Sequence, residues 1–354
     1  YMGIYRTYFD KNNTIIRDSK INTGRNQISE LFYGDKVSRF LFHCSFDELK
    51  NKVANKDIIV NSNVKHYLKI KNTSNFDVTT FLSDSNNLVF SDKYRSSSFD
   101  LELCPVYELW DEGMGYDFEQ SPLSRPQDRN YSEEASNWTY RTTVSQFSTP
   151  GGTIGGVIAT QHFDKGNEDV LMDITNFVNG ILVSGSTTGI TTNYEGFCLK
   201  YTNPYETIVF DDKRSYVLGL FTKHTQTFFE PFIETVYDDY IDDDRVEFYL
   251  NKTNKLYLYV NIDGQMTNLD NIPVCSINGV YYPVTQQARG VYYAEVFADS
   301  TTFDSYMEYS DIWSSISVNG VNRPNIKLKF ITKEENDYYQ LGSDIMEPIK
   351  YGVS

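Results

Sequence analysis

The sequence predicts a mainly β protein: two tandem antiparallel β-sandwich domains with few short helices and one long ordered loop. Three observations predict this. Strand-like segments alternate apolar and polar residues with a period of two and are rich in Tyr, Phe, Val and Ile. Asn278-Gly279, Asn319-Gly320 and Asp263-Gly264 each lie beside such a segment, and these dipeptides supply the positive φ values of tight hairpin turns. The length of 354 residues fits two domains of ordinary size.

Taken in order, Ile4 to Phe9 and Ser38 to Phe42 read as strands. Ser45-Phe46-Asp47-Glu48 is a capping-box pattern and predicts a helix of about two turns ending near Val53. Asp111 to Gly156 is the least regular stretch, interrupted by Pro122, Pro126 and Pro150. It carries Tyr116, Phe118, Tyr131, Trp138, Tyr140 and Phe147, too many aromatics for a free linker. Asp173 to Leu182 predicts a second short helix that buries Phe177, Val178, Ile181 and Leu182. A boundary near Asn203-Pro204 divides the chain into domains 1–203 and 204–354, the latter an immunoglobulin-like sandwich. In that half Leu256 to Val260 and Ile326 to Ile331 alternate as strands, with Tyr257 and Tyr259 on one face and Leu256, Leu258 and Val260 on the other.

The 32 Lys+Arg against 48 Asp+Glu leave a net charge of −16, the wrong sign for nucleic acid or an anionic membrane surface. No segment approaches the roughly 20 apolar residues of a membrane helix, and the first residues lack the pattern of a secretory signal. Aromatics at 15% exclude wholesale disorder. Cys44, Cys104, Cys198 and Cys275 are scattered and read as reduced thiols. The Asn-x-Ser/Thr triplets at Asn12, Asn72, Asn137 and Asn251 carry little weight without a secretory route.

No catalytic constellation emerges. His43, His66, His162 and His224 are isolated in sequence, so no zinc motif is present. A Cys44–His nucleophile pair is arithmetically open but has no family pattern around it. The acidic run Asp238 to Asp244 lacks the spacing of a calcium loop and reads as a solvated turn, with divalent-cation binding as the lesser alternative. Glu133-Glu134 and Asp211-Asp212 are adjacent acids whose separation in space the sequence does not fix. Gly151 to Gly156 is no phosphate loop, since no Lys-Ser/Thr follows. No cofactor, metal or enzymatic activity is therefore expected. Trp110, Trp138 and Tyr140 have the chemistry of a sugar-stacking platform.

An ordered succession of motifs covers about half the chain. It comprises Tyr5 to Ile15, Asn22-Thr23-Gly24-Arg25-Asn26, Ser38-Arg39-Phe40-Leu41-Phe42, Trp110-Asp111-Glu112-Gly113-Met114-Gly115-Tyr116-Asp117, Asn137-Trp138-Thr139-Tyr140 with Thr149-Pro150-Gly151-Gly152, and Phe163 to Asp169. This succession resembles DNRLRE-type β-sandwich modules of tailed-bacteriophage virion proteins, although the namesake motif is absent. The second half, with Phe221 to Thr227 and Glu230 to Glu234, looks like a companion domain in virion proteins of phages infecting Bacteroidales, including crAss-like phages. The resemblance implies a structural subunit of a tail, neck ring or baseplate, assembled in the bacterial host cytoplasm and resident in the virion. Its implied partners are copies of itself in a ring or oligomer and other tail or neck proteins. Rigid aromatic side chains suit such contacts, so Trp110, Tyr116, Phe118, Tyr131, Trp138, Tyr140 and Phe147 are the expected interface. The alternative is an adhesin or tail-fibre module binding a host-surface glycan through Trp110, Trp138 and Tyr140.

Overall fold

The computed structural model describes residues 2–34, 36–73, 98–116, 134–183, 194–207, 215–239 and 241–334. Strands dominate, and the helices among these residues are short: α1 (Asp47–Ala54), α2 (Thr175–Val183) and α3 (Asn203–Thr207). The chain divides into two compact units, residues 4–50 with 60–237, and residues 238–354 with 1–3 and 51–59.

In the first unit a five-stranded sheet runs in the order β2 (Lys11–Ile16), β4 (Ser38–His43), β9 (Phe197–Tyr201), β6 (Phe99–Pro105), β7 (Ala159–Phe163). Every pairing in it is antiparallel. A four-stranded sheet has the order β1 (Met2–Tyr8), β11 (Phe232–Asp238), β5 (Lys65–Ile70), β8 (Val170–Asp173). The antiparallel pair β3 (Ile28–Gly34) and β10 (Ser215–Phe221) joins the end of β5 through a bridge from Asn72 to Leu220. Aromatic rings fill the space between the layers. Tyr33 of β3 meets Tyr201 of β9 edge-on at 4.6 Å, and Phe9 stacks on Phe42 at 4.3 Å.

The division falls after residue 237, not at Asn203-Pro204. Seven residues of β10 pair with β3, and β11 pairs with β5, so the segment after residue 204 completes the first sandwich. Asn203-Pro204 instead opens α3, where a proline in the first turn loses no hydrogen bond. Both predicted helices are present. Asp173 Oδ1 accepts from the Thr175 amide at 2.9 Å and caps α2, whose Phe177, Val178 and Ile181 are buried while Leu182 is half-buried. The box at α1 is only half closed: Ser45 Oγ accepts from the Asp47 amide, but the Glu48 carboxylate accepts from the Tyr5 hydroxyl.

His66 on β5 is fully buried, which pulls its pKa down from 6.5 to about 4. Its Nδ1 lies 2.9 Å from Thr235 Oγ1 and its Nε2 3.0 Å from Asn179 Oδ1. The carbonyl oxygen of Asn179 requires the Nε2–H tautomer, so Nδ1 accepts from the threonine hydroxyl. Because the folded pKa lies below the unfolded one, the unfolded chain binds more protons between those values. Stability from this group is complete above about pH 6.5 and falls as the pH drops toward 4, by a total of about 3 kcal/mol. Urea titrations at pH 7 and 4.5 are expected to show a smaller acid loss in His66→Asn than in the natural chain. Equal losses would assign the acid sensitivity to other groups.

The second unit is a sandwich of five strands against three. One sheet orders β12 (Phe248–Tyr249), β23 (Ile326–Lys333), β20 (Glu308–Ser314), β16 (Val274–Ile277), β17 (Val280–Tyr282); the other orders β13 (Thr253–Tyr259), β19 (Val291–Phe297), β18 (Val284–Ala288). Only β12 runs parallel to its neighbour, the last strand β23. This order, with a tyrosine corner at Tyr309, whose Oη accepts from the Asp304 amide at 2.8 Å, is the immunoglobulin arrangement. The three predicted turns are in place. Asp263, Asn278 and Asn319 have φ of 52°, 51° and 51°, closing β14–β15 (Asn261–Ile262, Gln265–Met266), β16–β17 and β21–β22 (Ser317–Val318, Val321–Asn322). Leu256, Leu258 and Val260 face the core as expected, while Tyr257 is buried and Tyr259 is exposed.

Candidate functional site

Three of the seven expected interface aromatics lie in the interior of their own chain. Trp110, Trp138 and Phe147 pack with Ile15, Val37, Leu41, Val106 and Cys198 in one buried cluster. Ile15, Leu41 and Cys198 come from β2, β4 and β9. The described parts of the long loop therefore cover one face of the five-stranded sheet. Tyr140 is half-buried and Tyr116 exposed, while Phe118 and Tyr131 lie outside the described residues. A sugar-stacking platform made of Trp110 and Trp138 is incompatible with this placement, because both indoles are used in packing.

Charged groups share that covered face. Arg39 of β4 donates from Nε and Nη2 to both Glu206 carboxylate oxygens at 2.8 Å and from Nη1 to the Gly151 carbonyl at 2.8 Å. Lys200 of β9, also buried, pairs with Glu102 and lies 3.7 Å from Glu206. The Arg39 and Arg17 guanidiniums sit 4.9 and 5.2 Å from the Trp138 ring. Gly151, at φ 87°, leaves room for this: a Cβ there would come within 2.7 Å of Arg39 Nη1 and 2.8 Å of the indole. Two paired cations against two carboxylates under an aromatic cover form a structural network.

A second network fastens the loop at Asn22. Its Nδ2 donates to the Glu112 and Ser136 carbonyls at 2.8 and 2.9 Å, and its Oδ1 accepts from the Gly24 and Gly115 amides at 3.1 Å. Gly115 is obligatory here, since a Cβ would lie 1.7 Å from the Asn22 carbonyl oxygen. Glu112 accepts from the Asn12 amide at 3.0 Å and pairs with His224 Nε2 at 2.9 Å. Burial raises the Glu112 pKa, but the His224 and Asn12 hydrogen bonds outweigh it and leave the group below the usual carboxylate range. Asn22→Ala removes these four hydrogen bonds, each worth about 0.5–1.5 kcal/mol net, while the Ser136 carbonyl keeps its bond from Asn13 Nδ2. The substitution is expected to cost about 2–3 kcal/mol and to speed amide exchange over residues 111–116. Unchanged exchange there would show that the loop is held elsewhere.

One arrangement has the residue types of a nucleophile triad. Ser98 Oγ lies 3.5 Å from His162 Nε2, and His162 Nδ1 lies 2.8 Å from Asp100 Oδ1. However, Asp164 approaches the same Nε2 more closely, at 3.3 Å. The hydrogen bond to Asp100, with both carboxylates, raises the His162 pKa. The serine contact is at the limit of a hydrogen bond and the nearer Asp164 competes for the same nitrogen, so the arrangement reads as an ion-paired surface histidine. His43 is engaged by Asp10 at 2.6 Å. Burial, with Asp10 nearby, pushes the Cys44 thiol well up, the reverse of an activated nucleophile. In the acidic run, Asp243 and Asp244 accept from the Arg245 and Lys255 amides, as befits a turn. Among the described residues no three His, Cys, Asp or Glu side chains converge as metal ligands. Glu134 is exposed; Glu133, Asp211 and Asp212 lie outside the described residues.

The solvent-facing side of the four-stranded sheet is different. Alternation turns Ile4, Arg6 and Tyr8 of β1, Phe232 and Glu234 of β11, Lys69 of β5 and Leu171 of β8 to this side. Tyr8 meets Phe232 at 5.6 Å, under the Arg6 guanidinium at 4.6 Å. Glu234 pairs with Lys69 at 2.5 Å and Arg6 at 3.5 Å. Leu171 of β8 is 55% exposed, and Phe228, beyond the sheet, 91%. Phe228, Phe229, Phe232 and Leu171 wall a mostly apolar cavity of about 270 Å³, with Lys69, Lys71 and Asp169 at its sides. The outer edge of β8 is closed: Gln161 accepts from the Leu171 amide at 2.7 Å and donates to the Asp169 carbonyl at 2.8 Å. A side-chain amide thus occupies the place of a further strand. The sequence signal for this surface was Phe228-Phe229 flanked by polar residues, which strand periodicity did not single out.

No family model and no curated protein matches the chain. Among solved structures it is similar to a DUF4785 family protein from Legionella pneumophila, with 7% identity over 94% of this chain and 65% of that one, at a TM-score of 0.22. The chain thus spans about two thirds of that protein, and a likeness at this score carries no argument about fold or function.

Proposed function

We propose that this chain is a structural subunit that acts by contact and not by catalysis, and that its setting is the bacteriophage virion its motifs resemble: a tail, neck ring or baseplate. The observation that carries this reading is the exposed apolar surface formed by Tyr8 and Leu171 of the four-stranded sheet and Phe228 beside it. A contiguous surface of this kind is what subunits bury on association. The motif residues support it as well. Asn22, Gly24, Glu112, Gly115, Trp138 and Gly151 act as fasteners that hold a long loop against a sheet, which is a scaffold's use of side chains. A charge of −16 keeps separate subunits soluble before assembly.

Native mass spectrometry with negative-stain microscopy of the purified chain tests this. Discrete multi-copy species or rings are expected. A monomer that persists as concentration rises, and that is retained by polysaccharide on a glycan array, would favour the adhesin reading and overturn assembly.

A further inference from the structure

We infer that the cavity beside Phe228 is a self-association site, in which Phe228 of each copy enters the cavity of a second copy about a two-fold axis. This rests on the assembly reading above and names the surface and partner it would use. The first argument is shape. The projecting Phe228 phenyl forms one wall of a recess of about 270 Å³, so projection and recess belong to the same patch, as an isologous contact requires. A recess of about 150 Å³ already takes a benzene ring, so this one admits a phenylalanine side chain.

The second argument is charge. Two chains at −16 repel over most of their surfaces. Around this cavity Lys69 and Lys71 are balanced by Asp169 and Glu230, and Lys71 already pairs with Asp169 at 2.5 Å. A locally neutral patch, its lysines already paired with Glu234 and Asp169, is where two such chains approach at least cost. The closed edge of β8 directs the contact to side chains, because Gln161 has already taken the backbone groups a pairing strand would need.

The test uses the full chain, natural and as Phe228→Ser, with sedimentation velocity over the micromolar range. Since Phe228 is almost wholly exposed, the variant is expected to keep its thermal midpoint while association weakens about tenfold or more, as two phenyl burials are lost per dimer. Leu171→Lys, which puts a charge into the cavity wall, is expected to do the same. A photo-reactive phenylalanine at position 228, in mixed light and heavy isotope chains, should cross-link between copies to the segments holding Lys69 or Leu171. If the natural chain associates but Phe228→Ser associates equally well, this inference fails while assembly stands. If the natural chain stays monomeric, both fail. A monomer retained by polysaccharide through Phe228 would give the patch to a glycan and overturn the second copy as occupant.

Discussion

Arg245→Met is expected to destabilise the immunoglobulin-like unit by about 3–5 kcal/mol, the usual cost of breaking a buried ion pair from one side. Asp311 on β20 is fully buried, and Arg245 donates to it from Nη1 at 2.5 Å and Nη2 at 2.9 Å. Trp313 Nε1 donates to the same carboxylate at 2.6 Å. Methionine keeps most of the side-chain volume but leaves the carboxylate charged, buried and held by one neutral donor. The double variant Arg245→Met/Asp311→Asn is expected to regain most of the loss, because an amide oxygen still accepts from Trp313 without carrying a charge. The bond from Arg245 Nη2 to the Tyr257 carbonyl at 3.0 Å is lost in both, and about 1 kcal/mol should remain unrecovered. Amide exchange of β20 and β16 reads this unit separately from its neighbour, which matters where two units share one chain. An Arg245→Met variant within about 1 kcal/mol of the natural chain would mean that water reaches Asp311.

The features legible in the sequence were those with short-range causes. Asn278-Gly279 and Asn319-Gly320 close hairpins because their φ preferences need no distant partner, and Asp173 caps α2 through an amide two residues away. The boundary was misplaced because β10 and β11 find their partners in β3 and β5, far back in the chain, and no local signal records such pairing. The position of Trp138 had a signal that periodicity alone does not interpret. Phe40-Leu41-Phe42 and Phe197-Cys198-Leu199 are apolar on both faces, and such strands must be covered on both sides. One face meets the layer that holds Tyr33. The other called for a cover, and the aromatic loop supplies it.

The loop's role as cover leads to the second large effect, in Trp138→Ala. Trp138 is 7% exposed, its carbonyl accepts from the Gly151 amide at 2.6 Å, and its ring lies against Arg39 and Arg17. Truncating a buried tryptophan costs about 3–5 kcal/mol, and loss of two cation–π contacts adds about 0.5–1 kcal/mol each where water still reaches them. The effect should be local first: amides over residues 137–151 exchange faster, and water enters beside the Arg39–Glu206 pair. Trp138→Phe, which keeps a ring on the cluster, is expected to lose less than half as much. The comparison with Phe228→Ser separates core from contact surface. Trp138→Ala should lower the thermal midpoint yet leave association unchanged at temperatures where the variant is folded, whereas Phe228→Ser should do the reverse. If Trp138→Ala instead keeps its midpoint and weakens association, the indole acts as an interface side chain, and its place against β2, β4 and β9 is not the one that governs assembly.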